Sequence, residues 1–242
     1  NPDFDFCLKK GALDFGRRLG RQLKAAFVVL DEEHAACRLV KRIEGKLYTF
    51  DFTDFRAVTL EKDLLHRDFT INSLALELKN VFSNQDLNAL IIDPYLGKND
   101  LARKIIKVTG INSFKEDPLR ILRAFSFSCR LDFTLDKETL RLAKKEKKLI
   151  ISVSSERIRE ELFKIFESRI AYDSLVVLDK IKILEIIFPE IKPMRGIGQG
   201  PYHHLDVWQH TLETLKQFEL IIKSVKQNPQ INNYLEEEVS GL

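Results

Sequence analysis

Apolar residues change their spacing part-way along this chain, and that change constrains the fold more than any other feature. At the start, "DFDFCL" interleaves Asp3 and Asp5 with Phe4, Phe6 and Leu8, the alternation of a half-buried strand in which residues i and i+2 share a face. A segment with Ala12, Phe15, Leu19 and Leu23 at helical spacing follows. "AAFVVLD", "ACRLVKRI" and, behind a Gly turn, "GKLYTFDFTDFR" then restore the strand signal. Past the turns of "LIIDPYLGKNDLARKIIKVTG" the pattern changes, and from Asp117 onward nearly every segment reads as helix. "DPLRILRAFSFSCRL" opens with Asp117 and Pro118, "DKETLRLAKKEKKLI" begins after Thr134 or Asp136, and "SSERIREELFKIFES" offers Ser154 or Ser155 as cap. "SLVVLDKIKILEIIF" closes before Pro189. The expectation is an α/β or α+β beginning followed by an all-helical region.

The 242 residues suffice for one large domain or two to three small ones. Cys7, Cys37 and Cys129 lie far apart with no paired spacing, which argues against a disulfide framework and a zinc site and fits a reduced cytoplasmic compartment. No apolar stretch reaches membrane-spanning length, because the greasiest one is cut by Asp179, Lys180, Lys182 and Glu185. Net charge is only +3, yet "RLAKKEKK" from Arg141 to Lys148 reads either as a solvated helix face or as a contact for an acidic partner.

Chemistry enters with the acids. Asp3 and Asp5 point the same way from a strand, and like charges held that close call for a cation. Mg²⁺ takes one or two carboxylates together with substrate phosphates, the usual protein share of a site for in-line attack on a nucleotide. An exposed acid pair is the competing reading. In "YTFDFTDFR", Asp51 is either a third carboxylate for that site or an ordinary solvent-facing residue, and Asp54 ends the strand. In "EKDLLHRDFTINSLALEL", Asp68 can cap a helix starting near Phe69.

"RDFTINSLALEL", "DPYLGKNDL", "EDPLRILRAFSFSCRLDF" and "SSERIREELF" together resemble the class II tRNA nucleotidyltransferase and bacterial poly(A) polymerase family, relatives of DNA polymerase beta. The resemblance runs from Asp3 to about Glu190. It implies an α+β fold, a polymerase-beta-like head of mixed sheet and helices followed by an all-helical neck and body. The implied domains are a catalytic head over 1–109, a nucleotide-selecting and RNA-binding neck over 110–172, a body over 173–198, and the start of an HD-like helical region over 199–242, beyond the Gly-rich "PMRGIGQGPYHH". By position, Asp3 and Asp5 are implied to bind catalytic Mg²⁺ with Asp51 as the third acidic residue. Arg67, Asp68 and Asn72 are implied to hold ribose and triphosphate, an Arg pairing with phosphate and a carboxylate accepting from a 2′-OH. His66 stands where many members carry a second Arg, and Ser126 where a basic residue is common.

"KEDPLRIL" matches the segment by which this family chooses its nucleotide without a template. Asp117 and Arg120, three apart and expected on one helix face, offer an acceptor beside a forked donor that suits the pairing edge of C or A, with Glu116 orienting Arg120 and Arg157 buttressing the same pocket. A helix-start Asp with an intrahelical ion pair is the plainer alternative. Arg123, Arg130 and the basic run are implied to meet RNA phosphates. The implied activity is addition of C and/or A from CTP or ATP to a tRNA 3′ end with release of pyrophosphate. Poly(A) synthesis and a non-catalytic RNA-binding relative are the alternatives. His203, His204, Asp206 and His210 resemble the start of an HD phosphohydrolase domain whose remaining ligands do not follow. A Gly-Gly segment expected ahead of the Asp-X-Asp strand is absent, so the chain is expected to be a piece of a larger protein at both ends.

Overall fold

The computed structural model describes residues 3–82, 84–168, 170–198, 200 and 204–226. They fall into two units, the first built from residues up to Asp68 and from Asn72 to Gly97, the second from Phe69–Ile71 and everything from Lys98 on.

The first unit is a four-stranded sheet backed by one helix. Strands β1 (Asp3–Leu8), β2 (Ala26–Asp31), β3 (Ala36–Ile43) and β4 (Lys46–Asp54) lie in the order β1-β4-β3-β2, with helix α1 (Ala12–Leu23) between β1 and β2 in sequence. β1 runs parallel to β4, while β2, β3 and β4 are antiparallel neighbours. Period-2 alternation sends Phe4, Phe6, Phe50 and Phe52 to one face, where Phe4 stacks on Phe50 at 5.4 Å and Phe6 on Phe52 at 5.0 Å. Each such pair contributes about 0.5–1.5 kcal/mol beyond its buried area. A one-residue slip of β1 would carry Phe4 and Phe6 to the other face, away from Phe50 and Phe52, so these pairs fix the register of β1 against β4. α1 covers this apolar face through Ala12, Leu13 and Leu19 around Cys37, Leu39 and Phe52. Gly16 permits that close approach, since a Cβ there would stand 2.5 Å from the Cys37 sulfur. Short helices α2 (Leu60–Leu65), α3 (Leu78–Val81) and α4 (Leu87–Leu90) follow, α2 capped by Thr59, whose hydroxyl accepts from the Lys62 N–H.

The second unit is helical. Its elements are α5 (Gly97–Ala102, shared at its start with the first unit), α6 (Ser113–Glu116), α7 (Arg120–Leu131), α8 (Lys137–Glu146), α9 (Ser155–Phe166), α10 (Ala171–Lys180), α11 (Leu184–Ile187), α12 (Ile191–Met194) and α13 (Val207–Lys226). The two-residue strands β5 (Ile105–Ile106) and β6 (Thr134–Leu135) pair in parallel. Phe69, Phe114, Phe125, Ile165 and Leu178 sit in one continuous core. Asp136 caps α8, accepting from the Glu138 and Thr139 N–H groups.

Two particulars differ from the sequence expectations. The apolar run to Phe188 is two helices, broken where Lys182 takes φ 65°. Past the Gly-rich turn, α13 returns to the same core through Trp208, Leu212 and Leu215. The three cysteines are free, and among the described residues no helix is long and apolar enough to cross a membrane.

Candidate active site

The sheet's other face carries the acids. Register places Asp5 opposite Asp51 on β1 and β4, Asp3 opposite Thr49, and Arg38 of β3 opposite Asp51. Asp3, Asp5, Asp51 and Arg38 therefore share one face, opposite the phenylalanines. Asp3 and Asp5 are exposed, and among the described residues neither carboxylate takes a hydrogen bond or ion pair. Asp51 is engaged. The Arg38 guanidinium forks onto it, Nε to Oδ1 and Nη2 to Oδ2, both at 2.7 Å. The Asp51 hydrogen bond raises the Arg38 pKa first, burial opposes it, and the charges of Asp51, Asp3 and Asp5 raise it further. All three acids thus act on one field, and Arg38 is the cation inside it.

Those donors fit Mg²⁺ in a particular way. Among the described residues no group of three or more His, Cys, Asp or Glu side chains is arranged to hold a metal. Mg²⁺ needs no such cage, because one or two carboxylates plus water and phosphate oxygens complete its shell. Asp3 and Asp5 meet that requirement. Asp51, anticipated as a third acidic residue of the site, stands on the same sheet face as Asp3 and Asp5, with both oxygens held by Arg38. Arg38 itself was missed by sequence reasoning, since a cross-strand fork leaves no local signature. Asp54 points to the apolar face and its carboxylate takes the Gly11 and Ala12 N–H groups at 3.1 and 2.8 Å, capping α1 from across the sheet.

Arg67 follows α2, and its Nη2 lies 3.8 Å from Oδ2 of buried Asp63. Cys7, on the acid-bearing face of β1, is close enough to feel both. Burial pushes its thiol up, with Arg67 opposing and Asp63 adding to the rise. Asp63 Oδ1 accepts from the Arg56 N–H at 2.7 Å. The Asn72 side-chain amide donates to Asp68 Oδ1 at 3.0 Å, so Asp68 and Asn72 are joined across a short 3₁₀ turn, and no α-helix starts near Phe69 for Asp68 to cap.

In the second unit the base-reading candidates are also linked. Asp117 precedes α7 instead of riding on it, with φ −144°, so the expected shared helix face does not form. Its Oδ1 accepts from the Leu119 N–H at 3.1 Å and its Oδ2 from Arg157 at 2.9 Å. A carboxylate has about four acceptor positions, so two remain. Arg120 is 6 % exposed, its Nη1 directed to Ser113 Oγ at 3.0 Å, Ser113 O at 3.2 Å and Glu116 at 3.4 Å. Glu116 and Ser113 together fix the plane of that fork. Arg123 and Lys147, anticipated as RNA contacts, are engaged internally, Arg123 with Glu161 and Phe127, Lys147 with the Ile181 carbonyl.

Asp206 caps α13, taking the Gln209 and Gly196 N–H groups at 2.7 and 2.9 Å, and these bonds hold its carboxyl below the usual range. His203 lies outside the described residues.

A mixed sheet with its acids on one face, followed by a helical region, is the architecture of a polymerase-beta-like nucleotidyltransferase head and its helical continuation. Residues 1–107 match the poly(A) polymerase head domain, and residues 132–195 match the probable RNA and SrmB-binding site of polymerase A. Over 165 residues the chain is 36 % identical to the CC-adding tRNA nucleotidyltransferase of Geobacter sulfurreducens, covering 68 % of this chain and 36 % of that one. It is 36 % identical over 203 residues to the multifunctional CCA protein of Haemophilus ducreyi, covering 81 % of this chain and 47 % of that one. The solved Thermotoga maritima CCA-adding enzyme complexed with tRNA superposes with a TM-score of 0.67 at 32 % identity, covering 78 % of this chain and 44 % of that chain. The chain belongs to the tRNA nucleotidyltransferase and poly(A) polymerase family. It spans less than half the length of the curated relatives named here.

Proposed function

We propose that the protein is a template-independent RNA nucleotidyltransferase that adds C and/or A from CTP and ATP to the 3′ end of tRNA in the cytoplasm, with Mg²⁺ as its metal. The observation that carries this reading is the pair of exposed carboxylates on one face of β1, beside a third on β4, in a head of this family. Asp3 and Asp5 would hold the ion. Mg²⁺, when bound, supplies the charge that lowers the pKa of the primer hydroxyl and offsets that of the triphosphate.

The chain's own residues do the rest by positioning. Arg67 pairs with triphosphate oxygens, while Asp68 and Asn72 take the ribose hydroxyls. Asp117 and Arg120 satisfy the pairing edge of C or A, with Arg157 orienting the first and Glu116 the second. G or U would leave polar groups unpaired at about 1–3 kcal/mol each. The primer 3′ hydroxyl gives its proton to solvent as its oxygen bonds to the α-phosphorus, the bond from that phosphorus to the oxygen bridging it to the β-phosphate breaks, and pyrophosphate leaves with the electron pair.

Full-length protein incubated with Mg²⁺, tRNA lacking its 3′ end and each labelled nucleotide in turn tests the proposal. Extension with CTP or ATP, abolished by Asp3→Ala and by Asp5→Ala, is expected. tRNA binding without extension by any nucleotide would overturn it.

A further inference from the structure

The tripeptide Phe69-Thr70-Ile71 is packed unlike the residues on either side of it. Asp68 and Asn72 belong to the first unit, yet the three residues between them are part of the second. Phe69 is fully buried, bridges Val108 in antiparallel fashion, and meets the Phe127 ring edge-on at 5.5 Å. Arg123 stands 5.2 Å over that same Phe127 ring. Thr70 is 2 % exposed, its N–H donating to the Lys107 carbonyl at 2.9 Å and its hydroxyl to Asp100 Oδ2 at 2.8 Å. Asp100 is itself only 6 % exposed.

A buried carboxylate that loses its donor is costly, and it recovers the loss only by drawing the chain toward another partner. Thr70 opens the 3₁₀ turn that ends at Asn72, and Asp68, two residues before it, accepts from the Asn72 side-chain amide at 3.0 Å. A shift of Thr70 is therefore felt at Asn72 through the turn it opens, and at Asp68 through the adjoining backbone and the Asn72–Asp68 bond.

We propose that Thr70 and Asp100 are positioning residues for ribose recognition: their buried hydrogen bond sets the direction in which Asp68 and Asn72 present their polar atoms to the nucleotide sugar. This rests on the nucleotidyltransferase reading above and adds a specificity role to residues that touch no substrate.

The experiment compares CTP with dCTP as substrates for full-length protein, wild type against Thr70→Val and Thr70→Ser. Valine keeps the shape and removes the hydroxyl, whereas serine keeps the hydroxyl. Thr70→Val is expected to lower the ratio of kcat/KM for CTP over dCTP by roughly five-fold or more, chiefly through a higher KM for CTP, and Thr70→Ser to restore it. Choice of C and A over G and U, assigned to Asp117 and Arg120, is expected to stay as in wild type. Because the ratio is internal to one preparation, a smaller folded fraction does not move it. A ratio within about two-fold of wild type in Thr70→Val, or an equal fall in Thr70→Ser, overturns the inference. Wild-type protein that extends tRNA with no nucleotide overturns the parent reading first, and this inference with it.

Discussion

Removing the charge from Glu161 should loosen the helical unit by an amount the structure allows to be worked out. Glu161 on α9 is 2 % exposed and accepts from Ser126 on α7 at 2.5 Å and from Lys164 at 2.7 Å, with Arg123 at 3.7 Å. In Glu161→Gln the amide oxygen still serves Ser126, but the amide nitrogen then faces the Lys164 ammonium, donor against donor. One charge-assisted bond is lost, about 1.5–3 kcal/mol, and the attraction to Arg123 goes with it. Relief is partial, because the Lys164 side chain is 37 % exposed and can turn to water. A net cost of about 2–3 kcal/mol corresponds to a fall of roughly 5–10 °C in the melting midpoint for a chain of this size. Scanning calorimetry of wild type and Glu161→Gln measures it. Since the carboxylate is buried, the fall should change little between low and moderate salt. A midpoint unmoved within about 1 °C would refute the claim that this carboxylate ties α7 to α9.

Asp54→Ala removes both bonds to the start of α1 and should cost about 1–2 kcal/mol in urea unfolding; an unchanged midpoint would deny the cap its role. Arg120→Ala should reduce the preference for C and A over G and U by about ten-fold or more while lowering turnover less, and unaltered selectivity would place base reading elsewhere. Asp206→Ala should melt below wild type at neutral pH. The Gln209 and Gly196 N–H groups hold the Asp206 pKa below its unfolded value, so the charged cap stabilises fully above the ordinary carboxylate range and is lost as pH falls through the depressed value. The gap between the two proteins should close on acidification, and a gap that persists in acid would contradict this.

The sheet was legible because one of its faces is buried: the alternation in "DFDFCL" and "YTFDFTD" follows from phenylalanines that pack under α1, and it delivers Asp3, Asp5 and Asp51 to the other face. Arg38, Asp54, Thr70 with Asp100, and Glu161 were not legible, since each acts on a partner 13 to 43 residues away through a pairing that only the folded chain creates. The break between α10 and α11 was hidden for a different reason. Its left-handed turn is carried by Lys182, in a run without Gly or Pro to mark it. The return of α13 had a readable signal in Trp208, Leu212 and Leu215, whose spacing makes one helical stripe, but the glycines before it suggested a linker.

The central claim is that Asp3 and Asp5 share a divalent ion beside Asp51. Fe²⁺ in place of Mg²⁺, with CTP, ascorbate and peroxide, cuts the backbone nearest the ion, and mass spectrometry of the full-length protein locates the cuts. Cleavage within Asp3–Asp5 and around Asp51 on the neighbouring strand, absent when both β1 carboxylates are replaced by alanine, is the predicted result. Cuts elsewhere that survive that double replacement would contradict it.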